Sequence, residues 1–109
     1  PSSAAILGTG RVENENHRIQ GGGYAMSAAE LPLVRSELID GYLSVTDDEA
    51  LETARLLARQ EGLFAGFSAG ANVAAAAQLL RTSARGATIV VLLCDSGLKY
   101  LSTDLWEGL

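Results

Sequence analysis

The chain has 109 residues, 48% of them hydrophobic, a net charge of −5 and a pI near 4.7. That length sets one compact unit as the ceiling, and scattered basic residues on an acidic chain argue against nucleic acid or an anionic membrane as partner. A lone cysteine, Cys94, excludes an internal disulfide and points to a reducing cytoplasm, while no apolar run is long enough to span a bilayer and no signal-peptide pattern opens the chain.

Ser3 to Leu7 is a short apolar run stopped by Gly8-Thr9-Gly10, which reads as a strand end. The glycine pair suggests a dinucleotide loop, but neither a third glycine nor a helical pattern follows at the required spacing. Arg11 to Asn16 is polar and aperiodic, a surface loop. His17 to Gln20 then leads into Gly21-Gly22-Gly23-Tyr24, where composition alone indicates a flexible connector. His17, the one histidine, reads as a surface or loop-packing residue rather than a base.

Ala28 to Ile39 contains Pro32 and a short helix or turn, and Asp40 to Val45 reads as a brief strand. Thr46-Asp47-Asp48-Glu49 has the form of a capping box, with the acidic residues suited to the positive end of the helix dipole. That helix is expected to reach about Glu61, with Ala50, Leu51, Ala54, Leu57 and Ala58 on one face, and to end at Gly62. The acidic run is therefore a cap, with too few converging ligands for a metal.

Leu63 to Ala65 reads as a strand, Gly66-Phe67-Ser68-Ala69-Gly70 as a turn, and Ala71 to Ala84 as a helix whose alanines pack on a sheet. Asn72 is expected to hydrogen-bond the turn backbone. G-x-S-x-G between strand and helix is also the nucleophile elbow of serine hydrolases, with Asp95 in range to serve as acid. The required histidine after the acid is missing, so the turn is read as structural. Free amides at the helix start make an anion site the remaining alternative.

Ile89 to Leu93 is continuously apolar and β-branched, the pattern of a strand covered on both faces in a parallel sheet. It stops at Asp95-Ser96-Gly97, where ligands sit in open α/β sheets. Cys94 reads as a small buried residue. Tyr100, Leu101 and Trp106 are expected to anchor the C-terminal segment, with Ser102-Thr103 capping its last turn.

Three blocks, His17 to Ala25, Glu61 to Ala76 and Cys94 to Thr103 followed by Asp104-Leu105-Trp106, together resemble the cysteine synthase and cystathionine β-synthase family. The resemblance runs in register over nearly the whole chain. It implies an α/β fold of the tryptophan synthase β type and the cofactor pyridoxal 5′-phosphate (PLP). The activity it implies is β-replacement on an activated serine by sulfide or another thiol, giving cysteine. The alternatives within that chemistry are cystathionine synthesis and serine or threonine deamination; outside it, a non-catalytic binding fragment.

The resemblance further implies that Ser96 hydrogen-bonds the pyridine nitrogen, that Asp95 and Gly97 shape that turn, and that Gly21 and Gly22 line the substrate cleft. Departures from the family wording at Gly22 bear on the acceptor's identity. Enzymes of this family hold PLP on a lysine, and the one lysine here, Lys99, stands far from that position. Residues 1–109 thus read as the C-terminal part of a longer, homodimeric, cytoplasmic enzyme, inactive without its lysine-bearing remainder.

Overall fold

A computed structural model of the chain describes residues 1–2, 5–20 and 26–108. Two helices packed face to face make its frame. Helix α1 (Ile6–Thr9) is one turn, α2 (Asp47–Leu56) continues into a π-helical turn at Leu57–Glu61, and α3 is Phe67–Arg81. Short 3-10 turns occur at Ala28–Glu30, Ser36–Leu38, Gly97–Tyr100 and Asp104–Trp106.

The start of α2 follows the capping-box expectation. Thr46 Oγ1 accepts from the Glu49 amide at 3.2 Å, and Glu49 Oε2 accepts from the Thr46 amide at 2.8 Å. Its end follows too, with Gly62 in the left-handed region at φ 68°. Ala50, Leu51 and Ala54 are buried, while Leu57 and Ala58 are only half-buried.

Helix α3 begins four residues before the expected start at Ala71, so the G-x-S-x-G stretch is its first turn, with Gly66 at the N-cap. Its small residues pack on α2, and among the described residues no sheet ladder lies against it. A Cβ on Gly70 would stand 2.1 Å from the Ala50 carbonyl oxygen and 2.9 Å from Ala54 Cβ. Phe67, Ala69, Gly70 and Ala74 are buried along this contact. Asn72 lies one turn further in and does not hold the turn backbone. Its Nδ2 donates to the Leu92 carbonyl at 2.9 Å, tying α3 to segment 88–94.

The expected strands are not present as ladders among the described residues. Segments 40–45, 63–65 and 88–94 are non-helical, and their only sheet pairing there is an isolated antiparallel bridge between Ala65 and Ser96. Residues 6 and 7 of the first expected strand, together with Gly8 and Thr9, form a helical turn instead. A strand exists through backbone hydrogen bonds to a neighbour, and no described segment pairs its backbone with 88–94. Val90 is accordingly 96% exposed, Leu92 is exposed, and so is Cys94, against the buried role expected of it.

The core joins both helices to the chain's end: Ile19, Val45, Ala50, Leu51, Ala54, Phe67, Ala74, Tyr100 and Leu105 form one cluster. Tyr100 and Trp106 anchor the C-terminal segment as expected, but Leu101 is exposed and Leu105 takes the buried place. No helix among the described residues is long and apolar enough to cross a membrane.

Candidate functional site

The turn Asp95-Ser96-Gly97 is held from several sides. The Gly66 amide donates to the Asp95 carbonyl at 3.2 Å, and the Gly97 amide donates to the Phe64 carbonyl at 3.0 Å. These two bonds lay the turn across the entrance to α3. Downstream, the Trp106 indole Nε1–H donates to the Gly97 carbonyl at 3.0 Å. Trp106 also meets Phe64 with ring centroids 4.3 Å apart. A side chain at Gly97 would displace its neighbours, because a Cβ there would lie 2.5 Å from Trp106 Cζ2 and 3.0 Å from the Phe64 ring.

Ser96 is exposed and caps the 3-10 turn, its Oγ accepting the Leu98 amide at 3.2 Å. One lone pair is thus used locally, and the hydroxyl proton remains available to an outside acceptor. Asp95 is arranged otherwise. Its side chain is 18% exposed, and Oδ2 accepts the Tyr100 hydroxyl at 2.5 Å. Lys99 Nζ stands 3.9 Å from the same oxygen, a long pair at an exposed lysine that contributes little.

The structure therefore brings Ser96, Asp95 and Gly97 into one turn but gives them different surroundings, with only Ser96 facing outward. Gly21 and Gly22 lie outside the described residues. The residues leading to them are described: Ile19 is buried, and the Arg18 amide donates to Asp47 Oδ2 at 2.8 Å. The Arg18 guanidinium pairs with Asp104 and, at 3.5 Å, with Asp48. Arg55 donates to the carbonyls of Leu105 and Asp104, each at 2.7 Å. Arg18 thus joins residues 17–20, and Arg55 joins α2, to the segment that carries Trp106. Sequence reading missed both arginines: Arg18 falls in the His17 to Ala25 block without any sign there of its partners, and Arg55, on the polar face of α2, gives none of a distant partner either.

Ser68 lacks the surroundings of a nucleophile. It is half-buried in the first turn of α3 and borders a recess of about 180 Å³ with Ile19, Val45, Asn72 and Ala75. Among the described residues neither histidine nor carboxylate lines that recess, so none of those side chains is placed there to take its proton. His17 is half-buried in its loop, its amide donating to the Glu15 carbonyl at 3.1 Å.

A family model described as pyridoxal-phosphate dependent enzyme matches residues 1–95. This chain belongs to that family. Over its whole length it is 41% identical to cysteine synthase A of Escherichia coli, covering 33% of that protein. It is also 41% identical, over 99% of its length, to O-ureido-L-serine synthase of Streptomyces lavendulae, covering 32% of it. A crystal structure of O-ureido-L-serine synthase superposes with a TM-score of 0.85 at 36% identity, covering all of this chain and 33% of that one. The chain spans about a third of the length of the relatives it matches. Its α/β fold is thus that of part of a PLP-dependent enzyme of the cysteine synthase kind, and the cofactor of the family is PLP.

Proposed function

We propose that this chain is the C-terminal part of a PLP-dependent enzyme that makes cysteine from an activated serine and sulfide. The observation that carries the reading is the state of Ser96: outward-facing, neutral, and with its hydroxyl proton left over after Oγ accepts the Leu98 amide. That donor suits an uncharged ring nitrogen, so the turn fits the cofactor's pyridine. When bound, PLP supplies the electron sink that lets an amino acid lose its α-proton and its β-substituent.

Within that chemistry the chain's own residues orient and tune. Ser96 donates to the ring nitrogen without bringing a charge. A carboxylate in its place would hold the ring protonated and favour carbanion chemistry over loss of the β-substituent. Gly97 lets the turn seat against Trp106 and Phe64, and Gly21 and Gly22 border the substrate. The covalent hold must come from a lysine elsewhere in the protein, because Lys99 is exposed on the turn, near Asp95. The same reading places the enzyme in the cytoplasm as a homodimer. The equal identity to O-ureido-L-serine synthase favours a second version, with a ureido-bearing oxygen nucleophile in place of sulfide.

Substitution at Ser96 in the complete enzyme tests the site. Ser96→Ala removes one hydrogen bond, typically about 1 kcal/mol net, so PLP should bind about fivefold more weakly. Ser96→Asp should still take up PLP but lose turnover by at least about tenfold, equivalent to about 1.4 kcal/mol of barrier. Unchanged affinity and turnover in both variants would remove Ser96 from the site.

The hydrolase alternative has its own check. Ser68→Ala should leave turnover within about twofold, as expected for a change that touches no reacting group, and the parent should not react with a fluorophosphonate. Labelling at Ser68, with activity lost in the alanine variant, would reverse this assignment.

A further inference from the structure

We propose that Asp95 and Tyr100 are a positioning pair that sets the direction of the Ser96 hydroxyl. The inference rests on the reading of Ser96 as the ring contact, and goes beyond it by naming what holds that serine. Tyr100 is anchored in the core, 4% exposed, its ring edge-on to Phe67 with centroids 5.4 Å apart. Phe67 is the first residue of α3, so the Tyr100 ring is referenced to that helix. From there the hydroxyl donates to Asp95 Oδ2 at 2.5 Å, immediately before Ser96.

Gly66 makes the arrangement possible. A Cβ on it would stand 2.2 Å from Tyr100 Cε2 and 2.4 Å from Asp95 Oδ1, so the three residues interlock at the N-cap of α3. Asp95 is gripped twice, through its carbonyl by the Gly66 amide and through its carboxylate by Tyr100. Its other oxygen, Oδ1, is buried with no hydrogen-bond partner among the described residues. An incompletely satisfied buried carboxylate costs stability, although the positive end of α3 offsets part of this. Stability alone is therefore a poor reason for an aspartate here. Orientation is a better one: with Asp95 held at both groups, the peptide leading to Ser96 has little freedom, and its Oγ is left capping Leu98.

The test is a double-mutant cycle in the complete enzyme, reading the PLP dissociation constant by titration of the apo form and, separately, the apo unfolding midpoint. Tyr100→Phe removes one oxygen and keeps the ring packing. It should weaken PLP about fivefold when Ser96 is present and less than about twofold in a Ser96→Ala background. Its effect on the unfolding midpoint should be the same in both backgrounds. Asp95→Ala should reproduce the loss, and Asp95→Asn, whose carboxamide oxygen still accepts from Tyr100, should restore affinity to within about twofold of the parent. Equal losses of affinity with and without Ser96 would make the pair merely structural and overturn the proposal. If Ser96→Ala alone leaves affinity unchanged, the ring contact itself falls and the pair's role falls with it. The two failures are thus told apart by one variant.

Discussion

Gly70→Ala is expected to lower the stability of the complete protein by about 2 kcal/mol. Two effects oppose each other. Alanine in a helix interior is intrinsically better than glycine by about 1 kcal/mol. Against this, the new methyl would lie 2.1 Å from the Ala50 carbonyl oxygen and 3.0 Å from the Ala54 amide nitrogen. Both obstacles are backbone of α2, so no side-chain rotation relieves them. The helices must move apart, which opens the contact between residues that are otherwise fully buried. Overpacking of this kind costs about 3 kcal/mol at the upper end of its usual range, and it outweighs the propensity gain. Denaturant titration checks it, with a shifted midpoint and an unchanged slope as the expected result. An unchanged or raised midpoint would mean that α2 and α3 do not cross at Gly70.

Gly97→Ala should be nearly as damaging and should reach the cofactor as well. Its Cβ would enter the space of Trp106 Cζ2 at 2.5 Å and press on Phe64. The aromatic pair is less rigid than backbone, so the expected cost is about 1–2 kcal/mol. Because Trp106 is the sole tryptophan of this chain, its displacement can be followed by fluorescence where the complete protein has no other. PLP affinity should fall together with the emission shift, since Ser96 is the adjacent residue. Trp106→Phe, which removes Cζ2, should recover part of the loss in the double variant. A Gly97→Ala protein with parental emission and affinity would show that the turn is not seated on these rings.

What could be read from the sequence follows from which forces are local. The cap at Thr46 and Glu49 and the left-handed Gly62 are decided within a few residues, and both are found where the sequence places them. The α3 boundary was missed because Gly66 and Gly70 resemble turn glycines; one caps the helix and the other lies inside it to admit Ala50 and Ala54. The segment 88–94 has strand composition, but a ladder needs a neighbour that the described residues do not provide, so exposure replaces the expected burial of Leu92 and Cys94. The grouping of Asp95, Ser96 and Gly97 was legible as a turn. Their separate surroundings depend on Tyr100 and Trp106 folding back, and single-chain patterning does not encode such contacts. The same holds for Arg18 and Arg55, whose partners lie 86 and 50 or 49 positions away.

The central claim is that this chain contributes the Ser96 turn to a PLP-dependent enzyme that makes cysteine. It is tested most directly by loading the complete protein with PLP, supplying O-acetylserine and sulfide, and quantifying cysteine. The account predicts cysteine formation that requires both PLP and the lysine-bearing remainder, and that Ser96→Asp cuts by at least about tenfold. A loaded protein that forms no cysteine, or forms it at the parent rate with aspartate at position 96, would contradict it.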